Sequence, residues 1–214
     1  STWVTALVAL LPAERIGRVE HVAAIDWLLR ESGEESSWVY RLRRRLSGNP
    51  LPEGPVGWPW FPGTAAWVTP TAMAVLALEK AQGAGGDGRI VQRIAQGREF
   101  LLSRRCADGG WNHGANRALR CDGESYPETT GIALLALHGS DGVDLEPSWS
   151  LVRKYLVAGA AIEAVSWLQL ALAAHRKTSE WPSRSPACRD LRETALWILA
   201  QAAAGGANVF LPGT

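Results

Sequence analysis

The hydrophobic positions of this chain follow helical spacing, and they fall into two classes of segment. In the first class, Ala and other small or apolar residues fill most positions; in the second, apolar residues share the helix with Arg and Glu. Small-residue helices are predicted at 3–11, 67–82, 128–138 and 160–176, and amphipathic helices at 18–30, 89–104, 147–157 and 186–203. Pro70, Pro127, Pro147 and Pro186 stand near predicted helix starts, where the missing N–H costs nothing. The pattern predicts an all-α protein.

The chain also repeats itself. The stretch DWLLRESGEESSW (26–38) aligns without a gap on EFLLSRRCADGGW (99–111), and STWVTALVAL (1–10) is similar to TPTAMAVLAL (69–78) and PETTGIALLAL (127–137). Small-residue helices allow close approach of neighbours, whereas the charged helices suit contact with water. We therefore expect an α/α toroid-like array of about four helical hairpins, small-residue helices inside and amphipathic helices outside, as a partial toroid or a portion of a larger one.

Composition and charge narrow the class of protein. The 214 residues fit a single domain over 1–214, and 22 Lys and Arg against 21 Asp and Glu give a net charge of +1. Such a balance gives no reason to expect nucleic acid or an anionic membrane surface as partner. No apolar run is long enough to predict a membrane span, and no signal-peptide pattern opens the chain. We expect a soluble protein, with the cytoplasm favoured, and a fragment of a longer chain because helical spacing starts directly after Ser1.

The segment FLLSRRCADGGWNHG, followed by SYPETTGIALLAL, resembles the repeats of the terpenoid cyclase and protein prenyltransferase superfamily, which includes the prenyltransferase and squalene oxidase-type repeats. The resemblance depends on Phe100-Leu101-Leu102 with Gly109-Gly110-Trp111, and more loosely on Trp27-Leu28-Leu29 with Trp38. It covers residues 1 to about 139 and thins out beyond them. It implies an α/α toroid around a central aromatic-lined cavity, which in the enzymes of the family holds isoprenoid chains.

The motifs that the resemblance would supply for catalysis are missing. The chain contains no Asp-x-Asp-Asp acid motif of the squalene and hopene cyclases. For the prenyltransferase zinc site, the loop at 57–67 has neither Asp nor Cys, and Glu128 stands at or beside the expected His. A different zinc site is disfavoured too, because the Cys-x6-His-x7-Cys spacing of Cys106, His113 and Cys121 does not suit converging ligands. We expect no metal and no cofactor; whether Cys106 and Cys121 pair is left open.

Aromatic residues are the main candidates for a ligand site. The chain has eleven Trp, against three Phe and three Tyr. These rings either pack the loops between hairpins or line a cavity suited to a polyprenyl chain. The candidate cavity residues are Trp58, Trp60, Trp67, Trp111 and Tyr126.

Two further groups carry candidate polar chemistry. Glu128 and His113 are a candidate catalytic acid–base pair, although a carboxylate at a helix start is also expected from the helix dipole alone. Arg41, Arg43 and Arg44, in the run RLRRRL, are a candidate anion site for a diphosphate, the alternative being a solvated turn or an ion-pairing face.

Three functions remain from this reasoning. The first is a prenyltransferase-like module that binds an isoprenoid or another apolar ligand. The second is a terpene cyclase or prenyltransferase-type enzyme with a non-standard site, in which the Arg run or a partner subunit handles the diphosphate. The third is a protein-interaction scaffold. The missing catalytic motifs favour the first.

Overall fold

The computed structural model describes residues 1–48, 54–82, 87–114, 123–177 and 187–213. Within these ranges the protein contains ten α-helices and one 3₁₀ helix, and its only extended pairing is an isolated antiparallel bridge between Pro59 and Ala66. The predicted all-α class is therefore confirmed. The chain divides into two compact units, Ser1–Arg104 and Arg105–Thr214.

The first unit contains six α-helices and the 3₁₀ helix Glu34–Ser36. The α-helices are α1 (Thr2–Leu10), α2 (Ala13–Ile16), α3 (Arg18–Arg30), α4 (Trp38–Leu46), α5 (Val68–Gln82) and α6 (Gly88–Ser103). Helix α5 lies at the centre, in contact with α1, α3 and α6. Nearly every residue from Val68 to Leu78 is buried, because small and apolar side chains surround the whole helix. In contrast, α3 and α6 are buried along one face only.

The second unit contains four α-helices within its described residues. They are α7 (Pro127–Ala136), α8 (Glu146–Val157), α9 (Ile162–Ala174) and α10 (Leu191–Ala204). Helix α9 packs between α7 and α10, and α8 packs on α7. A Cβ at Gly131 would lie 2.7–2.8 Å from the backbone of Trp167 and Leu168, so this glycine permits the close approach of α7 and α9. Helices α7 and α9 are buried along their length, as the small-residue pattern predicts.

The predicted helix starts and ends agree closely with the structure, with three differences. Helices α2 and α4 were not predicted, and α4 contains the arginine run, for which an anion site, a solvated turn and an ion-pairing face were the alternatives. The predicted start at Pro186 lies outside the described residues. Helix α10 begins at Leu191, where the Asp190 carboxylate accepts a hydrogen bond from the Glu193 N–H at 2.8 Å. Asp190 is therefore the N-cap of α10, while the Glu193 carboxylate accepts the Arg189 N–H at 2.7 Å just before the helix.

Candidate functional site

In the first unit, both the backbone N–H and the backbone carbonyl of one buried tryptophan are hydrogen-bonded. Trp58 is fully buried, and its N–H donates to Thr71 Oγ1 at 2.8 Å. The same hydroxyl donates back to the Trp58 carbonyl at 3.4 Å, and the Trp67 N–H donates to that carbonyl at 3.0 Å. Thr71 lies one turn inside α5. We call this arrangement of Trp58, Trp67 and Thr71 the Trp58 clasp.

The second unit repeats these contacts. Trp111 is fully buried, its N–H donates to Thr130 Oγ1 at 3.0 Å, and the hydroxyl donates back to the Trp111 carbonyl at 3.3 Å. The Tyr126 N–H donates to the same carbonyl at 2.9 Å. We call this the Trp111 clasp. Tyr126 is thus the structural counterpart of Trp67, each at the entry to a buried helix.

Each clasp needs the glycine that precedes its tryptophan. A Cβ at Gly57 would lie 2.8 Å from Thr71 Oγ1, and one at Gly110 would lie 2.5 Å from Ser125 Oγ. The sequence alignment places Trp38 opposite Trp111, but Trp38 follows Ser37, begins α4 and is 74% exposed. The structural counterpart of Trp111 is Trp58, so this part of the alignment is wrong.

The Trp58 ring has further anchors. Its indole N–H donates to the Leu28 carbonyl at 2.8 Å, at the end of α3. The Arg93 guanidinium lies 3.7 Å from the ring centroid and donates to the Glu31 carbonyl at 3.0 Å. Burial lowers the pKa of Arg93 to about 10, so the group is still a cation at neutral pH, as a cation–π contact requires.

In each clasp a carboxylate accepts a hydrogen bond from the backbone N–H of the residue just before the entry aromatic, the name used here for Trp67 or Tyr126. Glu35 accepts the Ala66 N–H at 3.0 and 3.1 Å, and Asp108 accepts the Ser125 N–H at 3.2 Å. Positions 66 and 125 are equivalent, since they immediately precede Trp67 and Tyr126. The two carboxylates come from different places in the chain but perform the same task.

In the second unit, Asp108 belongs to a larger polar network. Ser125 Oγ donates to Asp108 Oδ2 at 2.6 Å and also lies 2.6 Å from the Tyr155 hydroxyl, which donates to the Ser125 carbonyl at 3.0 Å. Sequence reasoning missed Ser125 and Tyr155, because no short spacing signals a contact between residues 30 positions apart. The network joins the loop before α7 to α8.

The pKa values of Asp108 and Tyr155 in this network reflect their burial and their hydrogen bonds. Burial by itself raises the pKa of Asp108, but hydrogen bonds from Ser125 and Gly110 outweigh it, and the pKa lies below its usual value. Burial raises the pKa of Tyr155, and the negative charges of Asp108 and Glu128 add to that effect despite the opposing hydrogen bond with Ser125. Tyr155 therefore remains a protonated donor at neutral pH.

The predicted polar pair lies beside this network. Glu128 is half-buried in the first turn of α7, and its charge acts on Tyr155. The His113 ring packs near that of Tyr126, with 5.3 Å between the ring centroids and an interplanar angle of 46°. Tyr126 is 46% exposed. The accessible surface here consists of an aromatic ring, an imidazole and a nearby carboxylate.

The five candidate cavity residues divide by exposure. Trp58 and Trp111 present no accessible surface. Trp60 and Trp67 are partly exposed, as is Tyr126, and the Trp60 ring lies 6.1 Å from that of Trp3. Only the latter three rings can touch a ligand without rearrangement of the core.

The candidate anion residues lie on α4 rather than in a turn. Arg41 and Arg43 are exposed, and the Arg44 side chain lies outside what the structure describes. The possible partner of Cys106, Cys121, also lies outside the described residues, whereas Cys106 is buried. Among the described residues, no group of three or more His, Cys, Asp and Glu side chains is placed to hold a metal ion.

The second unit also has an open groove of about 410 Å³ beside the end of α7. Its lining is mostly polar and includes Asp141, Asp144 and Lys177 around the edge of Trp149. The Lys177 ammonium lies 5.2 Å from the Trp149 ring centroid. This groove is not the aromatic-lined cavity expected for an isoprenoid chain.

Comparisons with protein-family models and with curated proteins do not assign this chain to a family. No protein-family model matches the chain, and no curated protein matches it. In the part of the chain that the structure describes, no helix combines the length and apolar character needed to cross a membrane. The similarity to terpenoid cyclases and prenyltransferases therefore stays an expectation from the motif residues.

Proposed function

We propose that this chain is a helical repeat protein of terpenoid cyclase or prenyltransferase type that binds an isoprenoid or similar apolar ligand without transforming it. One observation carries the proposal: the same clasp, built twice, presents a partly exposed aromatic residue at the entry to a buried helix, Trp67 in one unit and Tyr126 in the other. Aromatic faces give large apolar contact at little entropic cost, which suits an unbranched or methyl-branched hydrocarbon chain.

The state of the polar residues supports binding over catalysis. Asp108, Ser125 and Tyr155 are hydrogen-bonded to one another. A general acid or base needs a group directed at the substrate, whereas these groups are directed at the protein. Glu128 follows Tyr126 by two positions in the first turn of α7, and the His113 ring lies 5.3 Å from that of Tyr126, so both are suited to orient a ligand hydroxyl.

The toroid belongs to the same proposal. In the second unit, α7 and α9 are buried along their length and alternate with α8 and α10, which are buried on one face; in the first unit, the buried α5 is followed by α6, which is buried on one face. Alternation of this kind is what an inner and an outer layer require.

Equilibrium dialysis with radiolabelled geranylgeraniol tests the proposal. We expect saturable binding. Trp67→Ala should weaken binding by the first unit about 10-fold or more, and Tyr126→Ala binding by the second unit, since each removes an aromatic contact worth about 1.5–3 kcal/mol. Trp38→Ala is the matched control, because Trp38 is an exposed tryptophan on α4, and it should bind like the wild type. Absence of saturable binding would contradict the proposal and favour a protein-interaction scaffold; equal weakening in the control would contradict the assigned site.

An enzyme is the second candidate, and one observation favours it. Glu128 is a half-buried carboxylate two positions after the partly exposed Tyr126, where it could exchange a proton with a ligand bound at that ring. Incubation with geranylgeranyl diphosphate, analysed by mass spectrometry, separates the two candidates. The binding proposal expects unchanged substrate; turnover that is lost in Glu128→Gln would establish the enzyme instead.

A further inference from the structure

Helix α4 presents an apolar stripe to solvent. Four large apolar side chains on it are exposed: Trp38 (74%), Val39 (55%), Leu42 (48%) and Leu46 (80%). At 3.6 residues per turn, positions 38, 39, 42 and 46 fall within about 100° of the helix circumference. An exposed apolar stripe of this kind usually marks a site of interaction.

Arginines border the stripe on both sides. Arg43 and Arg45 are exposed and stand at helical positions next to the two edges of the stripe, and Arg41 is exposed further round the helix. The net charge of the chain is only +1, so the whole-chain balance conceals this local concentration of positive charge. The helix is therefore amphipathic, with cations at the boundary between its apolar and polar faces.

The described residues of the first unit leave most of this helix exposed. The main packing contacts of α4 are with the short 3₁₀ helix Glu34–Ser36. Its start is fixed locally, since Ser37 Oγ accepts the Tyr40 N–H at 3.2 Å. The helix is thus held in place at its N-terminal end, while the apolar stripe faces away from the core.

We propose that α4 docks on the surface of an anionic lipid bilayer. The helix would lie in the plane of the interface, with Trp38, Leu42 and Leu46 at the level of the upper acyl chains. Arg43 and Arg45 would meet lipid phosphates on either side. This inference is independent of the proposed ligand, because it concerns a different surface.

A bilayer fits α4 better than a protein groove does. Nine residues of helix span about 13.5 Å, and at a helix width of about 10–12 Å the face they present is on the order of 150 Å². This is small against the roughly 800 Å² that each partner contributes to a stable protein interface. A bilayer requires no shape complementarity, and binding increases with each apolar side chain inserted and each cation brought to an anionic surface. Tryptophan and arginine are also the residues that favour the interface between headgroups and acyl chains.

Vesicle flotation with the full chain tests the inference. Vesicles of phosphatidylcholine with 30% phosphatidylserine are compared with pure phosphatidylcholine, at low and high salt. We expect binding to the anionic vesicles that falls with salt, and at least 10-fold weaker binding to the neutral ones. Equal binding to both would overturn the role of the arginines, and absence of binding to either would overturn the inference.

Two double variants separate the contributions of the two faces. Arg43→Gln with Arg45→Gln should weaken binding about 25-fold, at about fivefold per arginine. Leu42→Ser with Leu46→Ser should weaken it by at least 10-fold, because each leucine contributes apolar area to the inserted face. All four side chains are exposed, so circular dichroism and the thermal midpoint should be unchanged.

The matched control is Arg15→Gln with Arg18→Gln, which removes the same charge from exposed positions on α2 and α3. It should float like the wild type, and a loss equal to that of the α4 variants would show attraction by general charge and overturn the inference. Tyr126→Ala should also float normally. Its failure to bind geranylgeraniol would then bear on the proposed function alone, and a vesicle defect in the α4 variants on this inference alone.

Discussion

The Trp58 and Trp111 clasps share their backbone contacts but differ in what surrounds them. Each entry aromatic follows its tryptophan at a different distance, nine positions for Trp67 and fifteen for Tyr126. The supporting carboxylate lies 23 positions before Trp58 in one unit and three before Trp111 in the other. Loop length and the source of the carboxylate vary, whereas the glycine, tryptophan and threonine do not. The constant element is therefore the hydrogen-bonded junction between loop and buried helix.

The two clasps also differ in how they are secured. Trp58 is held through its ring, by Leu28 and by Arg93. The loop of the Trp111 clasp is held through its polar side chains, by the network of Asp108, Ser125 and Tyr155. Substitutions can separate these two modes.

The largest expected effect is loss of the buried ring. Trp58→Ala and Trp111→Ala should each lower the free energy of unfolding by about 3–5 kcal/mol, since each leaves a large cavity in a fully buried site. Trp58→Phe should cost less and reports the loss of the indole hydrogen bond to Leu28. Urea unfolding followed by circular dichroism gives the values. Trp38→Ala, at an exposed tryptophan, should change stability by less than about 0.5 kcal/mol; a similar loss there would contradict the account.

The next largest effect is expected at two glycines that permit close packing of helices, Gly131 between α7 and α9 and Gly97 between α6 and α5. Gly131→Ala places a Cβ against the backbone of Trp167, while Gly97→Ala places one 2.5 Å from a Val75 methyl and 2.8 Å from the Trp58 ring. Both should destabilise by about 1–3 kcal/mol, Gly131→Ala more because backbone shifts less easily than side chains. Thermal unfolding provides the measurement. Gly88→Ala is the control, since its Cβ would meet nothing within 4 Å, and it should be neutral or slightly stabilising. A larger loss in Gly97→Ala than in Gly131→Ala would contradict this order and would show that α7 and α9 can move apart to accept the Cβ.

The clasp threonines should behave alike if the two junctions are equivalent. Thr71→Val and Thr130→Val keep the side-chain shape but leave the buried N–H of Trp58 or Trp111 without its acceptor, so each should cost about 1–3 kcal/mol. Urea midpoints of the two variants test the equivalence. Thr194→Val, at an exposed position on α10, is the control. Clearly unequal losses would contradict the equivalence of the clasps.

The smallest effect is a dependence on pH from Asp108. Its pKa is lower in the folded protein than in the unfolded chain, so its contribution is present above the unfolded pKa of about 3.9 and is lost as the pH falls through the folded value. Asp108→Asn should remove that part of the acid dependence, and Ser125→Ala should reduce it. Thermal midpoints between about pH 6 and pH 2.5 measure it. The control Asp141→Asn changes an exposed aspartate of the same unit; an unaltered profile in Asp108→Asn would contradict the assignment.

Much of the helical architecture could be predicted because it depends on local pattern. The burial of α5 and α7 on all sides follows from runs of small and apolar residues, and the start of α7 follows from Pro127. Helix α4 was missed because a dense arginine run is typical of a solvated turn. Its apolar residues at positions 38, 42 and 46 were the available signal.

The site was predicted only in part. The motif at Gly110-Trp111 was recognised. The gapless alignment on the Leu-Leu pairs then placed Trp38 opposite Trp111. Trp38 does not follow a glycine, whereas a tryptophan of the clasp does. The search for a glycine before tryptophan, with a threonine inside the next small-residue helix, would have found Trp58. The contact of Tyr155 with Ser125 depends on how α8 packs, and no local pattern encodes that.

The most direct test of the account is a ¹⁵N-indole NMR titration with geranylgeraniol. The eleven tryptophans give separate N–H signals, which single Trp→Phe variants assign. We predict that the Trp67 and Trp60 signals shift on addition of ligand, while the indole signals of Trp58 and Trp111 stay in place and the Trp58 N–H exchanges slowly. Shifts at Trp58 and Trp111 with Trp60 and Trp67 unmoved, or no shift at any indole, would contradict it.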